Sequence, residues 1–97
     1  MGTKRIKFTV IKDDGVKAYW FAVDNQDVTS GQSVDLPTAP VENVLVWWML
    51  GAEGATIAIS GADPAGNVVI TRKSAVPQNR TRGAGSKYFV IKDGANG

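Results

Sequence analysis

The chain contains neither histidine nor cysteine. Without cysteine it has no disulfides and no thiolate metal site. Without histidine it lacks the commonest general base, the commonest metal ligand and the usual pH switch. Ser-His-Asp and Cys-His nucleophilic sites are excluded. Carboxylates, lysine, tyrosine and hydroxyls remain, but the spacing of the nine acids singles out no pair for glycoside hydrolysis. No Walker loop, dinucleotide fingerprint or zinc spacing is present. The chain is therefore expected to be non-catalytic, without cofactor or metal.

Long apolar runs are also missing. The longest, residues 41–51 (VENVLVWWMLG), falls well short of the ~18 residues that suggest a membrane span. The first fifteen residues are basic but have no apolar core, so they do not read as a signal peptide. The expected location is cytoplasmic unless a leader has been removed.

What is present is an ordinary globular composition, 43% hydrophobic and 21% charged over 97 residues, sized for one domain. Turn signals recur every few residues between β-branched and aromatic segments, and no helical period survives. Seven strands are expected: 4–12, 16–23, 33–36, 43–50, 55–60, 68–72 and 87–92. Residues 24–32 read as a loop and 93–97 as a frayed tail. Asp13-Asp14-Gly15 predicts a hairpin turn, with positive φ supplied at the Asp-Gly step. The prolines of Pro37-Thr38-Ala39-Pro40 belong at an edge or crossover. Residues 61–67 predict a hairpin loop. Their Asp63 and Asn67 are too few for a calcium ion, which takes about 6–8 oxygens. The fold expected is an all-β, antiparallel, immunoglobulin- or fibronectin-like sandwich, with a small β-barrel as the alternative.

Charge is segregated although the net is only +2. Residues 1–12 carry four cations. Residues 13–67 carry eight acids against Lys17. Residues 68–92 carry Arg72, Lys73, Arg80, Arg82, Lys87 and Lys92 with no acid. Acidic and basic strands could neutralise each other across a sheet, or the two chain ends could form a basic face.

Two features suggest a site. In a strand, Trp47 and Trp48 point to opposite faces. Val44, Val46, Trp48 and Leu50 make one apolar row, read as the core. Trp47 and Met49, with Leu45, are then placed outward, where Tyr19 and Phe21 of the second strand could extend the patch. The second feature is residues 73–86, KSAVPQNRTRGAGS, read as a long basic loop loosened by Gly83 and Gly85. Gln78, Asn79, Arg80 and Arg82 offer groups for carboxylates, phosphates or sugar hydroxyls. Together they suggest a module binding a carbohydrate or a protein through Trp47, Met49 and Tyr19 and through this loop. Self-association into a homodimer is a variant. The alternative is a small nucleic-acid-binding barrel using the basic C-terminal strands.

Overall fold

The computed structural model describes residues 2–92; the expected tail at 93–97 lies outside them. Eight strands form two antiparallel four-stranded sheets packed as a sandwich, with no closed barrel. They are β1 (Thr3–Lys12), β2 (Val16–Val23), β3 (Gln26–Val28), β4 (Ser33–Pro37), β5 (Glu42–Gly51), β6 (Thr56–Ala62), β7 (Val68–Ala75) and β8 (Arg82–Val90). The first sheet runs β4-β1-β6-β7 and the second β3-β2-β5-β8.

Period-two alternation builds the core. β1 sends Ile6 and Phe8 inward, β6 sends Ile57 and Ile59, and all four are buried. Phe8 meets Phe21 of β2 across the sheets, with ring centroids 6.0 Å apart and planes tilted by 54°, a favourable aromatic geometry.

Three connections differ from expectation. Asp13-Asp14-Gly15 carries the chain from one sheet to the other instead of closing a hairpin. Val16 N–H donates to the Asp13 carbonyl, and the Asp13 carboxylate accepts from Gly15 N–H. Gly15 is not among the residues with positive φ; an Asx turn suffices here. Residues 24–32 contain a true hairpin. Asp24 and Asn25 have φ of 51° and 66°, as a type I′ turn demands, and β3 pairs back onto β2. The supposed 14-residue loop is mostly strand: β7 continues to Ala75, β8 starts at Arg82, and Val76 between them is buried. The proline segment does cross between sheets, from edge strand β4 to β5.

The inward row of β5 is the reverse of the expected one. Leu45, Trp47 and Met49 are buried, Trp47 with 3% of its surface exposed, while Val44, Val46, Trp48 and Leu50 face outward. The cause lies on β8. Trp47 is paired with Gly85 and Met49 with Gly83. A Cβ on Gly85 would collide with the Trp47 ring, and one on Gly83 would sit 3.4 Å from the Met49 side chain. Gly85 is a cut-out for the Trp47 ring, Gly83 has the Ala75 carbonyl 3.2 Å from where its Cβ would be, and neither loosens a loop. The first sheet repeats the device, for Phe8 is paired with Gly61, where a Cβ would lie 2.7 Å from its ring.

Trp47→Ala is therefore expected to cost about 3–5 kcal/mol of stability. Gly85→Ala should cost about 1–3 kcal/mol through overpacking. The two losses should not add, because removing the indole vacates the space the methyl needs. Urea midpoints for the two single variants and the double variant check this; a neutral Gly85→Ala would contradict it.

Candidate functional site

The expected site residues do not come together. Trp47 and Met49 are core, and Tyr19 is half-buried against it. Gln78, Asn79 and Arg80 remain exposed in the short turn between β7 and β8, and Arg82 opens β8. In that turn Asn79 has a φ of 63°, and its N–H donates to the Glu53 carboxylate at 3.0 Å. Arg80 N–H donates to the Pro77 carbonyl. The turn is thus tied down by specific bonds.

With the faces reversed, an apolar surface appears on the outside of the second sheet. Trp20 on β2 lies directly opposite Trp48 on β5 in the register, and Trp48 lies opposite Ala84 on β8. The next rows hold Ala22, Val46 and Ser86, then Val44 and Tyr88. Trp20 is 41% exposed, Tyr88 62% and Val46 36%. Trp20 is held in place, because its indole N–H donates to Asp27 Oδ1 of β3 at 3.0 Å. The opposite outer face is different in kind. It carries Arg5, Lys7 and Thr9 from β1, Ser60 from β6 and Thr71 and Lys73 from β7, with Thr9 and Ser60 hydroxyls 3.3 Å apart. Ile11, 76% exposed, and Ala58 opposite it also lie on that face; what sets the second sheet apart is its aromatic content, Trp20, Trp48 and Tyr88.

Trp20 and Trp48 were separable from core by pattern alone only if Trp47 was already known to point inward. The signal available was the GxG spacing of Gly83 and Gly85, which matches the spacing of Trp47 and Met49.

Charges follow the topology. Among the described residues the ion pairs are Lys4–Asp63 at 3.5 Å and the exposed Arg5–Asp35 at 3.2 Å. General neutralisation across the sheets does not occur. From the two ends of the chain, Arg5 and Lys7 of β1 share the outer face of the first sheet with Lys73 of β7. β7 and β8, the edge strands on one side of the two sheets, lie against each other and bring Arg72 and Lys87 to one flank. There the Arg72 guanidinium stacks over the Trp47 ring, 5.6 Å from its centroid, and covers the indole where the sandwich opens.

Asp63 organises the β6–β7 hairpin as a turn. Its Oδ1 accepts from the N–H groups of Ala65 and Asn67, and its Oδ2 from the Asn67 amide and Lys4 Nζ. The Asn67 backbone bond lowers its pKa most. Burial opposes this, and the Asn67 side chain and Lys4 add to the lowering. A cavity of about 500 Å³ opens beside it, lined by Lys4, Asn67, Val68, Val69, Val90 and Lys92.

Because the folded-state pKa of Asp63 lies below its unfolded value, its contribution is complete above that unfolded value, ~3.9. It is lost as pH falls through the lower folded value. Urea midpoints measured from pH 6 down to pH 2 should fall less steeply at the acid end in Asp63→Asn than in wild type. Parallel curves would contradict this assignment.

Comparison with protein-family models, with curated proteins and with solved structures finds no match to this chain.

Proposed function

We propose that the protein is a non-catalytic binding module that engages a protein partner through the outer face of the β3-β2-β5-β8 sheet. The observation that carries this is the group of exposed Trp20, Val46 and Tyr88 around the half-buried Trp48 on the outer face of one sheet, where the other sheet's outer face carries no aromatic side chain among the described residues. Exposed tryptophan and tyrosine are the residue types that anchor protein interfaces. The face is a flat sheet surface. Its polar side chains near the centre are Ser86 and Asp27, and one oxygen of Asp27 is already used by Trp20. A sugar needs many matched hydroxyl partners, and apolar area of this kind suits a protein surface better. A nucleic acid would need cations interleaved with stacking rings. Here Arg82, opposite Leu50 at the end of the face, is the cation that β8 places on it, while Arg72 and Lys87 lie on the flank, apart from Trp20 and Trp48.

With a photo-crosslinking residue in place of Ser86, an extract of the source cells is expected to give one discrete protein adduct. It should disappear when Trp20→Ser and Trp48→Ser are introduced and persist with Arg5→Ser on the opposite face. An adduct that survives the two tryptophan substitutions would overturn the reading. Retention on cellulose or chitin that depends on the tryptophans would assign the face to sugar. A dimer in sedimentation velocity, lost in the same variant, would assign it to a second copy.

A further inference from the structure

The four sheet edges are unequal. β3 has three residues, and β4 is short and ends on Pro37. β7 has eight residues and β8, the longest edge strand, nine, neither with a proline. The hydrogen-bonding phase of β8 can be derived. Gly51 N–H donates to the Thr81 carbonyl, so the antiparallel ladder bonds alternate pairs from there onward. Gly83, Gly85, Lys87 and Phe89 therefore turn their backbone groups toward β5. Arg82, Ala84, Ser86 and Tyr88 turn theirs to the open side, where no strand of this sheet follows. Such a row is a template for another strand.

Two further observations specify what would fit it. A strand laid on β8 continues its alternation. Side chains level with Ala84, Ser86 and Tyr88 extend the outer apolar face. Side chains level with Gly85 and Lys87 point toward β7 and Arg72. That inner side is positive: Arg72 and Lys87 flank it, and neither has an acid within 4.0 Å among the described residues. The same charge opposes the pairing of two β8 edges from two copies.

We propose that the open edge of β8 accepts an extended acidic peptide segment, apolar and acidic residues alternating, as an added antiparallel or parallel strand. The occupant's acids face Arg72 and Lys87, and its apolar side chains join Tyr88. The edge adjoins the sheet face and shares Tyr88 with it, but the backbone pairing proposed here does not rest on the reading given above.

The probe is the capped peptide Val-Glu-Val-Glu-Val-Glu-Val, followed by NMR on the whole protein. Binding is expected to shift and protect from exchange the amides of Ala84, Ser86 and Tyr88, and to weaken with salt. Ser86→Pro removes an outward N–H while leaving the β5 ladder intact. It should weaken binding by about tenfold or more, and Lys87→Gln should weaken it in the same direction. The same peptide N-methylated at alternate amides should fail to bind, a control independent of the variant's folding. A Lys-for-Glu peptide should not bind. Binding that is indifferent both to Ser86→Pro and to N-methylation would overturn the added strand and leave a charge-only site. Binding of oligothymidylate in place of the peptide would assign the flank to nucleic acid. No binding of the acidic peptide at millimolar concentration would overturn the proposal outright.

Discussion

The indole of Trp47 lies across Gly85 and ends beneath the guanidinium of Arg72. Much of the second sheet depends on that placement. Trp47 is opposite Phe21 on β2 and its indole lies over β8, where the space a Cβ would need is taken, so β8 carries glycine there. Once Trp47 is inside, the period of two places Met49 and Leu45 inside with it and turns Val46 and Trp48 out. The edge strand β8 keeps little inward side-chain volume of its own and is filled by its neighbour. Arg72, from the other sheet, then covers what β8 cannot. Phe8 and Gly61 solve the same problem in the first sheet. The two aromatic–glycine pairs lie in different sheets and fill the space between them.

The consequence is an asymmetry between the outer faces. The row of β5 that turns away from the core is apolar, and so are its neighbours on β2; on β8 they are Ala84 and Tyr88 with Ser86 and Arg82. The burial of Trp47 thus turns Trp48 outward, half-buried, with exposed Trp20 opposite it. A sandwich needs only its inner faces to be apolar. The outer apolar row adds little to the monomer's core, while the outer face of the first sheet, Ile11 and its alanines apart, is mostly threonine, serine, lysine and arginine and has no aromatic residue among the described residues. That contrast within one small domain is the physical basis for assigning binding to the second sheet. The cations follow a different logic. Arg72 and Lys87 share a flank because β7 and β8 end the two sheets on the same side.

Residue pattern alone determined the all-β class, the bounds of β2, and the inward faces of β1 and β6, because polar and apolar residues alternate there and only one register buries the apolar set. It also determined the Asp63 turn, whose side chain bonds within five residues, and the proline crossover. Local chemistry left three things undecided. Both rows of β5 are apolar, so no transfer energy distinguishes them. Asn43 even favoured the wrong choice, since it is buried with its amide donating to the Pro37 carbonyl at 3.1 Å. Residues 82–86 look like loop because glycine and polar residues have low strand propensity; pairing with β5 overrides that. The destination of the Asp13-Asp14-Gly15 turn, a hairpin or a second sheet, depends on partners more than twenty residues away. Those questions were decided by tertiary structure, through the steric fit of Trp47 to Gly85, and with them which tryptophans a partner can reach.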